Sequence, residues 1–191
     1  MAMVCLVLAA CQTPGSTPGI GDIDVFEIPP ENSRIVLPEG YVADRVTVSI
    51  DGNYVKEHLH LPNINIRYKT APNFALKQRD RKGFIASIEY VLQGAKVVTL
   101  EAAEPISTIS TGPGFYSVVE DEIELCFFAI TNPGEVELIE GKSHFPSELS
   151  VFHCIPMATI SSHPNFVANS LALLERIIIR KLGGYISKAN N

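Results

Sequence analysis

The chain has 191 residues, 46% of them apolar and 19% charged, with a net charge of −6. That balance is the composition of a folded chain with material for one substantial core. The acidic sign argues against nucleic acid as a partner, and no run of about 18 or more apolar residues follows the N-terminal segment to span a bilayer as a helix.

The first segment, Met1 to Cys11, is apolar and ends in Leu8-Ala9-Ala10-Cys11. Ala9 and Ala10 are small enough for a narrow protease cleft, and the Cys11 thiol is a good nucleophile for taking up a lipid. This tetrapeptide resembles the lipobox of bacterial lipoproteins. The resemblance implies that residues 1–10 are a partial signal peptide, lacking Lys and Arg, and that Cys11 carries the lipid. Gln12 follows, where an Asp would imply retention in the inner membrane. The implied address is therefore the periplasmic face of the outer membrane. The alternative is an apolar N-terminal strand that happens to carry cysteines.

Residues 11–21 continue as a Pro/Gly/Ser/Thr run that cannot bury apolar area, so it reads as a flexible tether. Ten such residues stretch to about 33 Å, enough to clear lipid headgroups. Residues 22–191 then have the length of a single globular domain.

Within that domain, Val46–Ile50 and Ile64–Tyr68 alternate with period two, the pattern of strands with one face on a core. Asp51-Gly52-Asn53 predicts a hairpin turn between Val46–Ile50 and a strand over Tyr54–Leu61. Residues 84–92 fit either a strand or a short helix. Further strands are expected at Ala95–Leu100, Phe115–Val119, Ile123–Ile130 and Glu135–Ile139, with turns at Thr111–Gly114 and Asn132–Gly134. At the C-terminal end, Pro164 opens a helical pattern, with Ser161, Ser162 or His163 as its cap. Val167, Leu171, Leu174, Ile178 and Leu182 then line one face up to Gly183-Gly184. The expected fold is α+β: a strand-rich single domain with one C-terminal helix packed on the sheet. Because Ile177, Ile178 and Ile179 point three ways on a helix, that helix is either deeply buried or covered by a partner.

Of the four cysteines, Cys5 lies in the signal and Cys11 in the lipobox, leaving Cys126 and Cys154. Outside the inner membrane these can form a disulfide; two reduced cysteines in neighbouring strands are the alternative. His58 and His60 are the candidate metal ligands, since an i, i+2 pair on a strand presents both imidazoles on one face. Gly52-x5-His58-x-His60 resembles the first half of the cupin metal motif, but Ile64 and Asn65 stand where its glutamate belongs. His144, His153 or His163 would have to supply another ligand; otherwise the pair is two solvent-facing histidines.

Gly141-Lys142-Ser143 ends like a phosphate loop, yet Val136 occupies the position of its first glycine. A Cys126/His153 or Cys154/His153 nucleophile pair is conceivable, although adjacent residues on a strand point to opposite faces. No serine elbow, zinc-protease helix or cofactor signature is legible. Two charge clusters, basic Lys77–Lys82 and acidic Glu120–Glu124, would suit head-to-tail self-association or are simply solvated turns.

Two functions follow. One is a non-catalytic scaffold or assembly component of an envelope complex, attached to the membrane through Cys11 and binding an envelope protein or itself. The other is a lipid-anchored enzyme or small-ligand-binding protein using His58/His60 or a Cys/His pair. A pocket at the histidines favours the second; a flat surface with an exposed helix favours the first.

Overall fold

The computed structural model describes residues 23–51, 53–71, 76–92, 102–120, 122–134, 137–139 and 142–180, with only the backbone given for 137–139 and 142–144. The N-terminal signal, the tether and the strand expected at Ala95–Leu100 lie outside these residues, as does Gly141.

Period-two alternation becomes strand as expected. Strand β3 (Arg45–Asp51), β4 (Tyr54–Leu61) and β5 (Ile64–Thr70) are joined by two-residue loops. The β4–β5 turn is Pro62-Asn63, with Asn63 at φ 61°, a conformation Asn tolerates better than most side chains. Together with β1 (Asp24–Ile28), β7 (Glu104–Thr108), β8 (Gly112–Glu120), β9 (Glu124–Thr131) and β12 (Ser147–Pro156), they form an eight-stranded antiparallel sheet. Its order is β1-β3-β4-β5-β12-β9-β8-β7. Short strands β2 (Ile35–Val36), β6 (Leu76–Lys77), β10 (Glu137–Ile139), β11 (Lys142–Phe145) and β13 (Ile178–Ile179) make two small accessory sheets.

Of the turn expected at Thr111–Gly114, Thr111 and Gly112 (φ 75°) close the β7–β8 hairpin, whereas Gly114 has another role. Gly112 and Gly114 begin β8, and a Cβ on Gly114 would sit 2.0 Å from the carbonyl oxygen of Ile130 on β9. Glycine is needed there so that two strands can approach closely.

The inner face of the sheet carries Val46, Leu59, Ile66, Phe127 and Val151, packed against Phe166, Leu173, Leu174 and Ile177. Helix α2 (Phe166–Arg176) supplies Phe166, Leu173 and Leu174, and with Ser170 its buried residues fall four and three apart along one face. It is shorter than the apolar pattern suggested. A 3-10 turn occupies Met157–Ser162, and Pro164 lies ahead of the helix and not at its first turn. At the other end, the β-branched run Ile177–Ile179 takes extended backbone and pairs with β2 through Ile178↔Val36 and Ile179↔Ile35. The three isoleucines therefore divide on a strand: Ile177 is fully buried, while Ile178 is 57% exposed.

A second helix, α1 (Arg81–Val91), settles the ambiguous segment. Asp80 caps it by accepting a hydrogen bond from Gly83 N at 2.7 Å. Its face Phe84-Ile85-Ile88 packs on Phe128 and Ile130, on the outer side of the sheet. Strand β9 is thus covered on both faces, and every residue from Leu125 to Thr131 is buried. Cys126 and Cys154 stand directly opposite each other on β9 and β12 and are joined as a disulfide.

Among the described residues, one charged group lies fully inside. Glu57 on β4 is 1% exposed and faces the inner side. Its Oε2 accepts hydrogen bonds from Ser33 Oγ and Arg34 N, each 2.9 Å, and its Oε1 lies 3.3 Å from Arg34 Nε. This clamp holds the segment before β2 against the sheet. Replacing Glu57 by Ala leaves buried donors unsatisfied and should lower unfolding free energy by about 3 kcal/mol in urea titration. Reducing the disulfide frees a loop of 28 residues. The urea midpoint of the reduced protein should fall by the equivalent of about 3.5 kcal/mol, as loop-closure entropy requires.

Candidate functional site

On the outer face, β3, β4 and β5 carry polar and charged side chains that no described element covers. Between this polar half and α1 runs an open groove of about 960 Å³. Its floor is built by strand register. Lys56 stands opposite Lys69, and His58 opposite Arg67; Glu148 and Ser150 continue these rows on β12. Gly83, Ala86, Ser87, Tyr90 and Val91 of α1 form the helix side, and Phe128 and Phe152 close the apolar end.

Most groove charges are engaged. Lys56 pairs with Asp51, and Arg79 binds Glu148 through two nitrogens at 2.7 and 3.1 Å while donating to Ser87 Oγ. Lys69 lies 3.8 Å from the ring centroid of Tyr54. Burial lowers the Lys69 pKa; the carboxylate of Glu148, opposite it on β12, works against that shift, while the cations Lys56 and Arg79 add to it.

His58 and His60 do lie on one face, with ring centroids 3.9 Å apart and a 40° tilt. His58 lines the groove. Burial, then the positive neighbours His60, Arg67 and Arg45, hold its pKa down to about 4, against a hydrogen bond to Asn65 that opposes the shift. The His60 pKa is lowered for similar reasons, partly offset by Asn65 and Glu27. His58 Nε2 is buried without a hydrogen-bond partner among the described residues. No third His, Cys, Asp or Glu joins the pair within ligand reach among those residues. His163 is exposed and lies near His153 instead, while the His144 side chain is outside the described set.

The set that does bring three candidate ligands together is Glu124, Cys126 and Cys154, but both sulfurs are spent in the disulfide. The same bond removes the thiol from either Cys/His pair. His153 pairs in register with Phe127 on the inner face, where its Nδ1 lies 2.9 Å from Ser170 Oγ. Ser170 is fully buried, so this contact has no access to substrate, and burial holds the His153 pKa near 4.

The basic cluster Lys77–Lys82 is a fastening for α1 more than a free loop. Arg79 is bonded, Asp80 caps the helix and Arg81 lies 5.9 Å from the Phe115 ring centroid. Of the acidic cluster, Glu124 sits beside Cys126, its carboxylate 3.9 Å from Sγ. The cations Lys56, Arg67 and Lys69 carried no motif; their signal was their alternation with core residues on β4 and β5. Comparison with known protein families, curated proteins and solved structures finds no match to this chain.

Because His58 and His153 are neutral in the fold and titrate near 6.5 when unfolded, the unfolded chain takes up protons first as pH falls. Their contribution to stability is complete above about pH 6.5 and is lost progressively toward pH 4. The melting temperature should fall over that window, and the His58→Gln/His153→Gln double variant should flatten the fall between pH 6.5 and 5. An unchanged slope would assign the acid sensitivity to other groups.

Proposed function

We propose that this is a lipid-anchored protein of the bacterial envelope, held at the periplasmic face of the outer membrane through Cys11. Its body acts there as a non-catalytic binding and assembly module. The observation that carries the binding role is the groove between α1 and the uncovered half of the sheet. It combines fixed cations with aromatic walls and is of a size typical for bound ligands. The non-catalytic reading is supported by the fate of the nucleophile candidates: both sulfurs are bonded, and His153 faces away from the groove. The disulfide suits an oxidising compartment, as the lipobox resemblance implies. As a finer point of architecture, α2 closes the inner face as core, leaving the outer face as the working surface.

A second reading, an enzyme acting through His58 and His60, draws on the neutral His58, whose Nε2 has no hydrogen-bond partner among the described residues. One experiment separates these possibilities. A photoreactive residue is placed at Thr47, in the groove, or at Ile178, on the other side, in cells fed labelled palmitate. The binding role predicts a cross-linked adduct from Thr47 and none from Ile178. Cys11→Ser should abolish both the label and recovery with the outer membrane. Adducts only from Ile178 would move the binding surface elsewhere, and a wild-type chain without label would remove the anchor. His58→Gln that keeps the Thr47 adduct but abolishes turnover of the captured ligand would establish the enzyme.

A further inference from the structure

The groove floor contains an arrangement that an empty protein has reason to avoid. Lys56 and Lys69 are direct cross-strand neighbours, and like charges placed opposite each other destabilise a sheet. Arg67, two residues before Lys69, adds a third cation on the same face. Asp51 pairs with Lys56, but neither Arg67 nor Lys69 has a carboxylate in ion-pair distance among the described residues. This occurs in a chain whose net charge is −6, so the cluster is not a reflection of composition. Burial further disfavours the charge on Lys69, while the Tyr54 ring holds the ammonium in place.

The other end of the same groove has the opposite character. Phe152 lies four residues along β12 from Glu148, the residue that continues the Lys56–Lys69 row, which is about 13 Å at strand rise. Phe128 meets Phe152 edge-on, with centroids 6.0 Å apart. Val91 adds apolar surface from α1, and Tyr90 borders the groove while 85% exposed, an uncommon state for a large aromatic. A ligand spanning these features needs a negative head and an apolar body about 13 Å longer.

We infer that the groove binds an anionic amphiphile, its carboxylate or phosphate between Lys56, Arg67 and Lys69 and its hydrocarbon chain along Phe152, Val91 and Tyr90. The inference rests on the groove being the working surface and names what occupies it. The anion relieves the repulsion between opposed lysines and supplies the missing partner of Arg67. The chain takes aromatic surface out of water. Free phosphate satisfies only the first of these needs, and a neutral alcohol only the second.

The test uses the full chain carrying Cys11→Ser, handled without detergent, and equilibrium dialysis below the aggregation limit of each probe. Hexadecanoate and hexadecyl phosphate should bind, whereas hexadecanol and inorganic phosphate should each bind at least about tenfold more weakly. Arg67→Gln and Lys69→Gln should each weaken the two anionic probes about tenfold. Both variants should keep the disulfide and an unchanged or higher melting temperature, because they remove charge from a crowded exposed face. Phe152→Ala should weaken the long-chain probes and leave phosphate unaffected. If Phe152→Ala unfolds the chain, octyl phosphate against hexadecyl phosphate tests the same contact by shortening the ligand.

Equal affinity for phosphate and hexadecyl phosphate would overturn the amphiphile, and so would probe binding indifferent to Arg67→Gln and Lys69→Gln. Binding to phosphatidylglycerol vesicles without binding of the single molecules would also overturn it, assigning the cations to a membrane surface. A Thr47 adduct with no probe binding would defeat this inference alone. Absence of any Thr47 adduct, with probes bound normally, would defeat only the assembly role.

Discussion

The arrangement of this protein depends on one mismatch of size. Eight strands spaced about 4.8 Å apart make a sheet about 34 Å wide, whereas an 11-residue helix is about 16 Å long and 10 Å across. Helix α1 can therefore seal only part of the outer face. It lies over Phe128 and Ile130, and no described element covers the outer face of the strands on the far side of β12. The inner face has more to cover it: α2, the segment leading into β2, and the β2–β13 ribbon. The same sheet thus has one closed side and one half-closed side, and the groove is the boundary left on the second.

That asymmetry is written in the strands themselves. Strand β4 alternates buried and half-buried residues along its whole length, because only its inner face meets a core. Strand β9 is buried without interruption from Leu125 onward, because helices press on both faces. The alternation at residues 46–50 and 64–68 was readable for this reason, and so was the apolar run near 123–130. What local sequence did not reveal was the order of strands. Strand β12, central between β5 and β9, also alternates through Leu149, Val151, His153 and Ile155. Its interleaved Ser, His and Cys residues obscured the pattern. The charged floor was hidden for the same reason: Lys56 and Lys69 become neighbours only through register across a hairpin.

Errors at the C-terminal end have an identifiable physical cause. Apolar spacing from Val167 to Leu182 fits a helix, but spacing reports only which residues want burial. Backbone preference decided the outcome at Ile177–Ile179, where three β-branched residues favour extended geometry and β2 offers an edge to pair with. Gly114 illustrates the converse. A glycine between Pro113 and Phe115 reads as turn chemistry, yet its use is to let β8 come close to β9. Cys126 and Cys154 were legible as a candidate pair once the lipobox resemblance set Cys5 and Cys11 aside, and register then placed the two side by side.

The electrostatics of the two faces follow opposite rules. On the inner face the sole deeply buried carboxylate among the described residues, Glu57, is hydrogen-bonded by Ser33 and Arg34 N and ion-paired with Arg34, since an uncompensated charge there would be destabilising on the scale of the whole fold. On the outer face, charges are left incompletely matched, and solvent makes that tolerable. The histidines limit how far this goes. If His58 and His60 were protonated, the floor would hold five adjacent cations with Lys56, Arg67 and Lys69. Burial, with His60, Arg67 and Arg45 beside it, keeps His58 neutral down to about pH 4, so His58 adds no charge to the floor across the physiological range. A surface held in that state, beside aromatic walls and on an otherwise acidic chain, is maintained at some expense in stability. Binding of a negative group is the process for which such an expense has a physical return.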